Sequence, residues 1–119
     1  MPHSKRYALV VEDDQTQQQM VCAILEGIGF EVLQSTSGEA AMIILEEVGH
    51  DLSLMVADVR LNGDMTGSQL AKFARQLYPN IKLIVTSGQN WPVLPEGAVF
   101  LRKPWMPSEL VHEVEAVAS

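Results

Sequence analysis

The sequence predicts an α/β domain: a doubly wound parallel sheet of five strands with helices on both faces. Three observations lead there. Short runs rich in Val, Ile and Leu are continuous rather than alternating, as suits strands covered on both sides. Between them lie stretches whose apolar residues recur at helical spacing. The runs also end in acids, hydroxyls or a lysine, at the carboxyl edge where an open α/β sheet keeps its functional crevice.

The first strand is expected over residues 7–11, and it runs into Glu12-Asp13-Asp14. A helix follows over about 15–29, with Met20, Val21, Ile24, Leu25 and Ile28 as its inward stripe, Asp14 as N-cap and Gly27 or Gly29 as its stop. Residues 30–34 make a weaker second strand. The second helix covers about 38–48, capped by Thr36 or Ser37, with Ala41, Ile44, Leu45 and Val48 inward. The third strand, 52–57, ends at Asp58. The third helix spans about 67–78. Thr66 with Gln69 reads as a capping box, and Pro79 ends the helix. The fourth strand, 81–86, ends in Thr86-Ser87, and the fifth, 98–101, leads into Arg102-Lys103-Pro104. A last helix over about 107–118 starts on a proline, which suits a first turn, and turns Leu110, Val111, Val114 and Val117 toward the sheet.

One unit departs from this rhythm. Between Thr86 and Ala98, Pro92 and Pro95 with glycines at both ends leave no room for a regular helix. An extended or 3₁₀ connection is expected there, so the fourth helix is shortened or missing.

Length and composition bound the function. A chain of 119 residues, 47 % apolar, predicts one domain, here 1–119, with a real core. No stretch approaches the ~20 apolar residues that cross a bilayer, and the N-terminus lacks the pattern of a signal peptide. The single Cys22 excludes an internal disulfide framework and reads as a small buried hydrophobe. A cytoplasmic address follows. The net charge of −7, with scattered basic residues, argues against nucleic acid and against anionic membrane as partners. No effector is visible beyond the last helix, so a fused DNA-binding domain is not expected.

The strand ends carry the chemistry. In a flavodoxin-like order, 2-1-3-4-5, strands one and three are neighbours at the switch point, which sets Glu12, Asp13 and Asp58 side by side. Gathered acids repel one another, and a divalent cation is a natural way to hold them. Carboxylates, one backbone carbonyl and waters would satisfy Mg²⁺, leaving an Asp58 oxygen for attack on phosphorus. The Thr86 hydroxyl can bond a phosphoryl oxygen without adding charge, and the Lys103 ammonium can pair first with Asp58 and then with phosphate. A cis Lys103-Pro104 bond would aim that lysine, although X–Pro bonds are cis at a base rate of only ~5 %.

Glu12-Asp13 after Leu9-Val10-Val11, Asp58, Thr86 after Ile84-Val85, and Lys103-Pro104 stand in this order, each at a strand end. With them the sequence resembles the receiver domains of two-component response regulators over nearly its whole length. The resemblance implies roles. Asp13 would bind Mg²⁺ directly, with Mn²⁺ able to substitute, and Glu12 mainly through water. Asp58 would accept phosphate from a histidine kinase or histidine phosphotransfer protein. The Arg60 carbonyl would complete the metal shell, Thr86 would be the switch hydroxyl, Lys103 the phosphate partner and Phe100 the rotating aromatic. The resemblance also implies a downstream protein partner and allows a homodimer through the output face, which the fourth helix normally helps to form.

Departures from the family pattern are as specific as the matches. The loop Val59-Arg60-Leu61-Asn62-Gly63-Asp64-Met65-Thr66-Gly67 lacks the usual proline four residues after the acceptor and is one residue longer. Arg60 and Gly88 flank the path of a hydrolytic water in the family. Among the remaining residues, Asp64 reads as a loop acid, Trp105 as packed on the sheet end, and His3, His50 and His112 as surface histidines.

Two rivals remain at this level. A phosphate-independent pseudo-receiver would keep the acids as scaffold, and the altered fourth unit motivates it. A metal-dependent phosphatase also uses strand-end aspartates, but Val59-Arg60 follows Asp58 where a second acid would stand, and no cap domain is present to enclose a substrate.

Overall fold

The structure is a computed structural model and describes residues 5–89 and 92–116. Five parallel strands form one sheet in the order β2-β1-β3-β4-β5. They are β1 (Arg6–Val11), β2 (Phe30–Ser35), β3 (Leu52–Asp58), β4 (Lys82–Ser87) and β5 (Val99–Arg102). The helices are α1 (Gln15–Gly27), α2 (Gly38–Val48), α3 (Gly67–Leu77) and α4 (Pro107–Glu115), with a 3₁₀ turn at Gly49–Asp51. This is the doubly wound, flavodoxin-like architecture that the alternating pattern predicts.

Strand pleating sorts the core into two layers, because successive side chains leave a strand on opposite faces. Leu9, Val11, Met55, Ala57, Leu83 and Val85 face α2 and α3, where Leu45, Leu70 and Ala74 meet them. Ala8, Val10, Leu54, Val56 and Ile84 face α1 and α4, where Leu25 and Leu110 close the other layer. Cys22 is buried in that second layer. Trp105 packs against it from the sheet end.

Helix boundaries follow their caps. The Asp14 carboxylate accepts from Gln17 N, Ser37 Oγ from Ala40 N, and Thr66 with Gln69 forms the capping box. Gly29, at φ +102°, turns the chain out of α1 into β2 in a conformation that disfavours a side chain.

Some details differ from the sequence reading. Met20 is 42 % exposed, while Gln18 is buried in its place. Its amide donates to the carbonyls of Glu12 and Ser35, which satisfies a polar group inside. Residues 92–95 run without helix and lead into a turn at Glu96-Gly97, with Leu94 packed on the layer that α2 and α3 cover. Trp91, His3 and Val117 lie outside the described residues. His50 and His112 are exposed. Among the described residues no helix is long and apolar enough to cross a membrane.

Candidate functional site

The strand registers decide what meets at the carboxyl edge. Val11 lies beside Ala57, so Glu12 and Asp58 follow as neighbours. Asp58 is directly opposite Thr86, and Ser87 opposite Arg102, which brings Lys103 alongside. The backbone stitches these ends together: Val59 N donates to Thr86 O, and Lys103 N to Ser87 O, each at 2.9 Å.

Asp58 and Thr86 are both buried, at 8 % and 3 % exposure. Lys103 Nζ is 2.5 Å from Asp58 Oδ2 and 3.4 Å from Glu12 Oε1. The other Asp58 oxygen, Oδ1, accepts from Arg60 N at 3.0 Å. Glu12 Oε2 accepts from Asp14 N. Asp13 follows Glu12 and is half-exposed, as is Phe100 on β5, where it pairs in register with Val85. Lys103–Pro104 is cis.

Charge at this edge is unbalanced. Burial pushes the Glu12 carboxyl up to about 7; the Asp58 charge adds to that, while the Asp14 N–H and Lys103 oppose it. Burial works against the Lys103 ammonium, but the bond and charge of Asp58, with the charge of Glu12, outweigh it and hold its pKa above the ordinary value. Two buried acids thus share one ammonium.

The donor set suits a hard cation. Glu12, Asp13, Asp58 and the Arg60 carbonyl offer only oxygen, the ligand type of Mg²⁺ and Mn²⁺, and Lys103 already stands in for positive charge between two of the acids. Among the described residues no three His, Cys, Asp or Glu side chains gather into a group that could hold a metal ion.

Two residues at this edge escaped sequence reasoning. Gly67 opens α3 against Asp58 itself: a Cβ there would fall 2.0 Å from the Asp58 carbonyl oxygen. The signal was available, since glycine is a poor choice inside a first turn. Glu39 is the other. From the first turn of α2 its Oε2 accepts from Asp64 N at 3.0 Å and Met65 N at 3.3 Å, and nothing in the sequence around it marks this contact. Beside the site, an open groove of about 500 Å³ is lined by Gln17, Met20, Gly88, Lys103, Pro104 and Trp105.

Compared with known families, residues 8–115 match the response regulator receiver domain. The chain belongs to that family. This receiver domain is 32 % identical over 113 residues to the sensor kinase CckA of Brucella abortus, covering 90 % of this chain and 12 % of that protein. It is 32 % identical over 120 residues to the phosphate regulon transcriptional regulatory protein PhoB of Klebsiella pneumoniae, covering 94 % of this chain and 51 % of that one. The chain therefore spans at most about half the length of these relatives. Among solved structures, a response regulator receiver protein from Sinorhizobium medicae superposes with a TM-score of 0.84 at 25 % identity, over 92 % of this chain and 91 % of that one. The receiver domain of the hybrid histidine kinase CckA gives 0.80 at 31 % identity, over 92 % and 95 %.

Proposed function

We propose that this receiver domain, over residues 1–119, is a phosphoacceptor switch whose acceptor is Asp58. The observation that carries the reading is the placement of Asp58: buried, held through Oδ1 by the Arg60 N–H, paired through Oδ2 with Lys103, and opposite Thr86. An aspartate fixed at both oxygens beside an alcohol and an amine suits in-line attack on phosphorus. The donor is the phosphohistidine of a histidine kinase or a histidine phosphotransfer protein. An Asp58 oxygen forms the new O–P bond, the N–P bond breaks, and the imidazole leaves with a proton.

Mg²⁺, or Mn²⁺ in its place, would be held by Asp13, Asp58 and the Arg60 carbonyl, with Glu12 acting through water. When bound it neutralises charge on the transferring phosphoryl group. Lys103 then exchanges its carboxylate partner for a phosphoryl oxygen, and the Thr86 hydroxyl donates to another. Phe100 follows Thr86. A tenfold shift between two conformations needs only ~1.4 kcal/mol of differential interaction, within reach of one or two charge-assisted bonds. The shift controls binding of a downstream protein, in the cytoplasm.

The test is phosphotransfer from candidate kinases or acetyl phosphate, read by mass spectrometry. Wild type gains one phosphate on Asp58, and Asp58→Asn gains none. Uptake that persists in Asp58→Asn removes Asp58 as acceptor. The helix-free 92–95 stretch favours a second reading, a phosphate-independent binding module. A wild type silent to Mg²⁺, to beryllofluoride and to every phosphodonor would support it.

A further inference from the structure

The loop after the acceptor is long for its family and lacks its usual proline, so something else must order it. Freezing a backbone residue costs conformational entropy, and residues 60–65 include Gly63 at φ +92°. The restraints come from α2. Ser37 forms an isolated parallel bridge with Asn62. The Met65 side chain covers Gly38 so closely that a Cβ there would stand 2.8 Å from its Cγ. Glu39 is the polar part of this clasp, accepting from Asp64 N and Met65 N. Its own backbone N–H joins those two in holding its carboxyl below the ordinary value. At the other end of the loop, Gly67 N donates to Val59 O. Arg60 thus lies in a short span fastened on both sides.

We infer that Glu39 is a positioning residue for the metal: by fastening residues 64–65 to α2 it fixes the Arg60 backbone, whose carbonyl would serve as a ligand. The inference rests on the metal-dependent reading above. Glu39 itself touches neither metal nor phosphate. It replaces, with a carboxylate on a neighbouring helix, the stiffness that a proline would have given the loop. Groups behind a ligand commonly cost 10–100-fold in metal affinity when removed.

The experiment is Mg²⁺ titration of the full chain followed by tryptophan fluorescence, beside amide hydrogen exchange and thermal unfolding, in wild type, Glu39→Ala and Glu39→Gln. Glu39→Ala should expose the Asp64 and Met65 amides to exchange and weaken Mg²⁺ binding about tenfold. Glu39→Gln keeps an acceptor oxygen and should stay within about threefold of wild type with the Asp64 and Met65 amides protected; if Glu39→Ala fails to fold, Glu39→Gln carries the test, since Mg²⁺ affinity that does not follow the protection of those amides in it would overturn the role. A clasp that is only structural would lower Tm and speed exchange while leaving Mg²⁺ affinity unchanged; that outcome overturns this inference and spares the site. A wild type that binds no Mg²⁺ overturns both.

Discussion

Two connections leave the carboxyl edge of the sheet next to one another, and they are built differently. The one after β3, residues 59–66, is bound along its length: Val59 and Arg60 to β4 and to Asp58, Asn62 to Ser37, Asp64 and Met65 to Glu39. In the one after β4, the described residues 88–89 and 92–98 are held at separate points. Gln89 N bonds Ser87 Oγ, Leu94 packs on the core, and Arg75 reaches from α3 to the Glu96 carbonyl. The first borders Asp58 and its restraints converge on that residue. The second stands where a helix would be, and its restraints keep the sheet covered. The difference teaches that the restraints on the first connection serve the surroundings of Asp58, whereas those described for the second serve the cover of the sheet.

The largest expected effect breaks the first connection at its root. In Gly67→Ala the new Cβ meets the Asp58 carbonyl oxygen, the Asp58 carbonyl carbon and Val59 Cα, all backbone, at 2.0, 2.7 and 3.0 Å. None can rotate away, so α3 or the end of β3 must shift. A loss of about 3 kcal/mol in urea unfolding is expected. Next is Arg75→Ala, which strikes the second connection. It removes donors to the carbonyls of Pro79, Ile81 and Glu96 and should cost about 2 kcal/mol. Mg²⁺ affinity should stay at the wild-type value, because no group of the first connection is touched. An affinity that falls with Arg75 would mean that the two connections are coupled.

A smaller effect reads the charge at the site. The folded chain holds the Glu12 proton up to about 7, whereas an unfolded glutamate releases it near 4.5. The folded state therefore binds more protons between those values, and its stability falls as pH rises through that window and levels off above 7. Glu12→Gln carries no such slope. Without Mg²⁺ its Tm should exceed that of wild type by roughly 5 °C at pH 8 and by less at pH 5. An advantage independent of pH would place its origin elsewhere than in a buried charge.

The centre of the sheet was legible because β1, β3 and β4 are buried on both faces over most of their length, which leaves unbroken apolar runs with clear ends. The meeting of Glu12, Asp58 and Lys103 was legible for the same reason: each directly follows or closes a run, and parallel topology does the rest. What sequence could not supply depends on partners distant in the chain. Met20 fits the apolar stripe of α1 yet faces solvent, while Gln18 goes inside because two strand-end carbonyls await its amide. Hydropathy cannot see that exchange. Glu39 looks like any first-turn acid until the loop 25 residues away folds onto it.

The smallest effect sharpens the comparison with one substitution made twice. Gly88 begins the second connection, and a Cβ there finds only the Lys103 Cβ, at an ordinary 3.9 Å. Its φ is not in the left-handed range. Gly88→Ala should therefore stabilise the fold by about 0.5 kcal/mol, because it narrows the unfolded ensemble without straining the native chain. The same methyl group at Gly67 costs several times as much with the opposite sign. The two glycines stand at opposite ends of one site, so composition and exposure to the same chemistry cannot explain the contrast; backbone proximity to Asp58 can. Equal losses at both positions would mean that the second connection is as tightly fitted as the first.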